Sequence, residues 1–246
     1  MDRTGKLITI IGRGHSGTRA ISHTLSASGV YMGEPLNTSG DLIPPDDMYA
    51  ACRVIARHIR HLGGVQWDFS RLHSGPIDPE FRRLVESYLV SILRSDSAVK
   101  GWKIPETTLA FPWIARIFPE AYYIHWVRDP RDGILSTHKT DDLTDFGVPY
   151  DTSDDLYERR AISWKYQVEI VKATPRPKRF LTVRFEDFVL EQDQTLRRLE
   201  EFLGIPLQKI EVRPDAVGRW KTSDTNADFP FWREDLKAFG YRSETA

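Results

Sequence analysis

The residues that first invite a chemical reading are GRGHSGTR at positions 12–19. Bare backbone at the glycines lets main-chain N–H groups converge. A helix that starts there adds its own unpaired N–H groups and the positive end of its dipole. Such a turn holds an anion, here with Ser16, Thr18 and Arg19 as side-chain donors. Three ligands fit the local pattern. Gly12, Gly14 and Gly17 satisfy the dinucleotide spacing G-x-G-x-x-G, and Glu34 stands near the place of a ribose-binding acid. Gly12 and Gly17 also satisfy G-x-x-x-x-G, but Thr18 and Arg19 replace the Lys and Ser/Thr of a Walker loop. A Mg²⁺-dependent nucleotide kinase would then lack its lysine and its metal-binding hydroxyl. The third ligand is a phosphate-type group held without metal by amides and basic side chains.

A second cluster follows in AYYIHWVRDPRDGILSTH, residues 121–138. An apolar strand ends at Val127. Arg128 then sits at the carboxyl edge of the sheet, where open α/β folds bind ligands. Asp129 is placed to cap the next helix and Pro130 to open it, and Asp132 reads as part of the same helix start. Ser136, expected on that helix eight residues after Arg128, can share a second phosphate with it.

The elements that must position these residues alternate. Near-continuous apolar runs predict buried strands at 7–11, 98–102, 121–127 and 179–185, with a short fifth at 30–32. Helices are expected over 16–28, ended by Gly29, and from Asp78 and Pro79 onward. In the latter, Phe81, Leu84, Val85, Tyr88, Leu89 and Ile92 form one face. Two more are expected over 156–172 and 194–203. The pattern predicts an α/β fold: a P-loop-like three-layer sandwich with a central, mostly parallel sheet between helices, in one domain over 1–246. The acidic segment 140–155 and the tail after Ile210 read as surface loops or as lids over a site, with surface loops the favoured reading.

Composition narrows the partners. The 246 residues carry 34 Lys and Arg against 35 Asp and Glu, a formal charge of −1. Bulk charge therefore makes no case for nucleic acid or an anionic membrane. No apolar run is long enough to span a bilayer, and no signal peptide opens the chain. Cys52 is the one cysteine, so no intrachain disulfide can form, and no histidine has ligand spacing with it. These features lead us to expect a soluble, cytoplasmic protein with no metal site.

The two clusters together resemble the sulfotransferases that use 3′-phosphoadenosine 5′-phosphosulfate (PAPS). GRGHSGTRA is similar to the loop that wraps the 5′-phosphosulfate, and RDPRDGILS to the segment that holds the 3′-phosphate through an Arg and a Ser eight apart. TVRFEDFVLEQDQTLRRLEEFLGIP is similar to the family's strand, aromatic-Glu-Asp turn and helix. GRWKTS at 218–223 looks like its nucleotide-closing loop. The resemblance runs from about Leu7 to Ser223. It implies nucleotide contacts at Gly14, His15, Ser16, Gly17, Thr18, Arg19, Arg128, Ser136, Arg219, Trp220 and Lys221. It leaves no use for a dinucleotide reading.

Transfer of a sulfuryl group to a hydroxyl needs a base for the acceptor's proton and a cation for the departing phosphate. The resemblance places the base at Glu34 in VYMGEPLN, as in carbohydrate- and tyrosylprotein-type members. Glu106 is a second carboxylate. Phenol- and steroid-type members carry a His where KGWKIPE has Lys103, which points Lys103 to the sulfuryl group or the acceptor. His15 stands where the family usually has Lys or Arg, and Arg13 is the other cation near the leaving oxygen. The expected acceptor is a hydroxyl on a glycan, lipid, peptide or small metabolite. A nucleotide-binding protein without transferase activity is the alternative, because His15 replaces the usual cation.

Overall fold

The computed structural model describes residues 5–223 and 228–242. Its strands are β1 (Lys6–Ile11), β2 (Arg60–Gly63), β3 (Gln66–Asp68), β4 (Val99–Lys103), β5 (Tyr122–Val127) and β6 (Phe180–Arg184). Four of them form a parallel sheet in the order β4-β1-β5-β6, while β2 and β3 make a separate antiparallel pair. Ile8 pairs with Gly101 on one side and Tyr122 on the other. The neighbours of β1 thus lie on opposite sides of it, and a crevice opens at the carboxyl ends where the winding reverses.

Helices cover both faces, as the alternating apolar runs predict. On one face Ile11, Trp102 and Tyr123 pack against Met48, Cys52 and Ile55 of the helix Asp46–Ala56 and Phe81 and Val85 of Pro79–Tyr88. On the other, Ile8, Ile10, Ile124 and Trp126 pack against Ile21 and Leu25 of Thr18–Ala27 and Leu196, Leu199 and Leu203 of Gln192–Leu203. Each fully buried aliphatic side chain contributes about 1.5–3 kcal/mol of burial. Asp78 accepts the Glu80 N–H at 2.8 Å, so the expected cap and Pro79 start this helix. Its predicted face is buried throughout, although the helix breaks at Leu89 and a new one runs Val90–Arg94.

Four expectations differ from the fold. The fifth strand at 30–32 is reduced to a single bridge between Tyr31 and Lys100. The helix after Arg128 is only Pro130–Gly133, so Ser136 lies in the bend beyond it rather than on it. Asp129 caps that short helix as expected, accepting from Arg131 N–H at 3.0 Å. The segment 140–155 is not a plain surface loop. It folds into the 3₁₀ turns Lys139–Asp141 and Leu143–Phe146, with Thr140, Asp141, Leu143 and Phe146 buried. The tail contains the helix Arg233–Ala238, whose Leu236 joins Trp232, Ile134 and Trp164 in a third apolar cluster. Asp235 of this helix is fully buried and pairs with Lys165 and Lys172 of the helix Leu156–Ala173. Among the described residues, no helix is long and apolar enough to cross a membrane.

Candidate active site

The glycine turn lies between β1 and the helix Thr18–Ala27, at the carboxyl edge of the sheet. Two glycines have separate reasons to be there. Gly17 takes a left-handed φ of 81°, and a Cβ on it would lie 2.3 Å from the Phe185 ring. A Cβ on Gly14 would lie 2.1 Å from the His138 ring. His15 also adopts a left-handed φ of 60°, which is uncommon outside glycine and concentrates at functional loops. The Ser16 N–H is bonded to the Arg13 carbonyl at 3.1 Å, closing the turn. Among the described residues, the N–H groups of Gly14, His15, Gly17 and Thr18 have no acceptor.

A cavity of about 520 Å³ opens in front of this turn. His15, Gly17, Thr18, Arg19, Lys103, Arg128, Ser136 and Arg219 all line it, so the two sequence clusters and the C-terminal loop meet there. Arg128 is 6% exposed. It donates to His15 O at 3.0 Å, to Ala216 O and, at 3.4 Å, to Asp132. Its guanidinium lies 4.6 Å from the Phe185 ring centroid. Burial lowers its pKa, against the attraction of Asp132.

The other expected residues sit elsewhere. Arg13 is buried and turned away, bonded to Asp141, Gly133 O and Gly14 O. Asp141 pairs with Arg160 as well, so one carboxylate joins the glycine turn to the helix Leu156–Ala173. Ser16 is buried too. With Arg13 it lines a small inner cavity behind the turn, not the large one. Trp220 and Lys221 flank the large cavity without lining it. The Trp220 ring lies 3.8 Å from the Arg131 guanidinium, so it stacks on protein. Glu34 is exposed, its N–H donating to Ser91 Oγ at 3.3 Å, and it lies outside the cavity lining. Glu106 is 1% exposed and lies outside that lining as well. Burial raises its carboxyl to about 7.

Three residues of the site escape a sequence reading. Asp132, expected only to help start a helix, is fully buried. It accepts from Gly218 N–H at 2.7 Å and Trp220 N–H at 2.9 Å, which pins the loop that carries Arg219. His138 lines the cavity with its ring edge-on to His15 at 5.6 Å. Thr140 N–H donates to its Nδ1 at 3.2 Å, so the neutral ring carries its proton on Nε2. Burial, then the nearby Arg13 and His15, lower its pKa to about 3. Asp41, also in the lining, pairs with Lys103 at 2.6 Å. The sequence signals were faint: the second acid of RDPRDG, a histidine after ILST, and NTSGD. The expected aromatic-Glu-Asp turn has a structural use. Glu186 accepts from Asp129 N–H and the Tyr241 hydroxyl, each at 2.9 Å.

His15 donates its Nε2 proton to Thr137 O. Burial lowers its pKa below the usual 6.5, and the charges of Arg13 and Arg128 act in the same direction. Among the described residues, no cluster of His, Cys, Asp and Glu has the geometry of a metal site.

A parallel α/β sheet with a glycine turn facing a cavity at its carboxyl edge is shared by a broad class of group-transfer and nucleotide-binding proteins. Residues 8–209 match the Sulfotransferase family, and the chain belongs to it. The fold is similar to that of the sulfotransferase domain from the curacin biosynthetic pathway, with a TM-score of 0.61 at 13% identity, covering 98% of this chain and 99% of that one. It is similar to the sulfotransferase domain of the Synechococcus PCC 7002 olefin synthase, with a TM-score of 0.59 at 16% identity, covering 99% and 98%. The sulfotransferase STF9 from Mycobacterium avium gives a TM-score of 0.51 at 15% identity, covering 97% and 78%. A comparison with curated proteins found no match. The protein is a sulfotransferase.

Proposed function

We propose that this enzyme moves a sulfuryl group from PAPS to a hydroxyl acceptor. The observation that carries this reading is the meeting of both basic clusters at one cavity. The unpaired amides of the glycine turn and Arg19 offer one anion site; Arg128, Ser136 and Arg219 offer another. A ligand with phosphate at both ends suits that arrangement, and the second cluster has no counterpart in a dinucleotide site. PAPS, when bound, supplies the sulfuryl group.

The chain's own residues then divide the work. The amides of Gly14, His15, Gly17 and Thr18, with Arg19, hold the 5′-phosphate. Arg128, Ser136 and Arg219 hold the 3′-phosphate, and Asp132 fixes the loop that brings Arg219 there. His15 stands at the turn to steady charge on the leaving phosphate as its imidazolium, a form that two nearby phosphates favour. Arg13 positions the turn through Asp141. Lys103, at the end of β4, faces the acceptor side. In-line transfer of this kind depends mainly on such positioning and charge stabilisation.

A thermal-shift titration with 3′,5′-adenosine bisphosphate, set against ATP–Mg²⁺ and NAD, tests the donor. At a hundred times its dissociation constant a ligand adds about 2.7 kcal/mol of stability, or about 5–10 °C for a chain of this size. A shift with the bisphosphate alone is expected. A shift with ATP–Mg²⁺ or NAD alone would overturn the reading.

A further inference from the structure

The base expected from the sequence, Glu34, lies outside the cavity, and Glu106 is closed off behind it. The lining of the cavity contains another carboxylate. Asp41 sits in a loop fixed from three directions. Asn37 Oδ1 accepts from Ser39 N–H at 2.8 Å and Asp41 N–H at 2.9 Å. Gly40 O accepts from Ser22 Oγ of the first helix at 3.1 Å. Leu42 N–H donates to Lys103 O, at the end of β4, at 3.0 Å.

The carboxylate is held as firmly as its loop. Lys103 Nζ donates to Asp41 Oδ1 at 2.6 Å and to Ser39 O at 2.7 Å. Asn37 Nδ2 donates to Asp41 Oδ2 at 3.0 Å. The Lys103 side chain is 2% exposed and that of Asp41 17%, so of this pair, both of which line the cavity, the carboxylate is the more open member. Each carboxylate oxygen has two acceptor positions. Lys103 and Asn37 use one on each, which leaves a position on either oxygen for an acceptor hydroxyl. An ammonium has three protons, and Lys103 uses two, so one remains for a sulfuryl oxygen.

We propose that Asp41 is the catalytic base of this enzyme, with Lys103 as the group that orients it. The inference rests on the PAPS reading of the cavity. The acceptor oxygen forms its bond to sulfur while the bond from sulfur to the bridging phosphate oxygen breaks. The electron pair of that bond stays on the leaving 5′-phosphate. The acceptor's proton goes to Asp41, which later releases it to solvent.

Two measurements test this on the wild type, Asp41→Asn and Glu34→Gln. Calorimetry with 3′,5′-adenosine bisphosphate reads the nucleotide site. Release of the bisphosphate from PAPS, with water and then glycerol as acceptor, reads transfer. Asp41→Asn is expected to keep its bisphosphate affinity within about threefold, which also shows that it folds, and to lose about 100-fold or more in kcat. Turnover of Asp41→Asn within threefold of wild type would overturn the proposal, as would a comparable loss in Glu34→Gln instead. Wild-type protein that binds the bisphosphate but never releases it from PAPS with either acceptor would also overturn Asp41 as a base, leaving the nucleotide site standing. Failure of the wild type to bind the bisphosphate would overturn the donor reading itself.

Discussion

Replacing Glu106 with Gln should stabilise the protein at alkaline pH and leave it nearly unchanged in acid. Glu106 is 1% exposed, its Oε1 has no hydrogen-bond partner, and burial raises its pKa from 4.5 to about 7, with Asp41 adding to the rise. A carboxyl whose folded pKa is raised binds its proton more tightly in the native state. Its favourable contribution is therefore complete below pH 4.5 and is lost as pH rises to about 7. Above that, the native state carries a buried charge at a cost of about 3 kcal/mol, from about 1.4 kcal/mol per pH unit between the two pKa values. Gln keeps the shape and removes the charge. Urea unfolding of both proteins at pH 4.5, 6, 7 and 8 should show midpoints that nearly coincide at pH 4.5, diverge progressively from there to pH 7 and level off by pH 8, with the variant the more stable. A variant less stable than wild type at pH 8, or a difference independent of pH, would refute the reasoning and mean that Glu106 is native as a satisfied carboxylate.

Other perturbations follow from the same contacts. Asp141→Asn should cost about 3–5 kcal/mol in denaturant unfolding, because it leaves Arg13 and Arg160 buried without their shared carboxylate. Asp132→Asn should weaken bisphosphate binding at least tenfold by calorimetry, since it loosens both Arg128 and the Gly218–Trp220 loop. His15, with Arg13, Arg128, Asp141 and His138 around it, has a lowered pKa in the free protein and must take up a proton to act as a cation. Wild-type bisphosphate affinity should therefore fall between pH 6 and 8, by at most about tenfold per pH unit, more steeply than that of His15→Lys, in which the charge is permanent. The ligand's own ionisation is common to both and cancels in the comparison.

Much of the fold was legible because its signals are local. The central strands β1 and β5 are near-continuous apolar runs, and the starts of the helices at Pro79 and Pro130 are written in an Asp-Pro pair each. The helix after Arg128 was read too long: it runs only Pro130–Gly133, and Ser136 reaches the cavity from a bend instead. The segment 140–155 looked like solvated loop because acidic residues usually are. Asp141 is buried only because Arg13 and Arg160, 128 and 19 residues away, converge on it, and no window of sequence shows that. The same limit explains the site. The two anion-binding clusters are contiguous in sequence and could be read. Which carboxylate faces the cavity depends on how the 37–41 loop docks on the first helix and on the end of β4. Glu34 and Asp41 lie only seven positions apart, and that docking separates them.

The most direct test of the account is a crystal structure with 3′,5′-adenosine bisphosphate bound. The 5′-phosphate is expected on the amides of Gly14, His15, Gly17 and Thr18, the 3′-phosphate on Arg128, Ser136 and Arg219, and the Asp41–Lys103 pair facing the 5′ end. A bisphosphate bound away from the glycine turn, or one that leaves Arg128 in contact with protein alone, would contradict it.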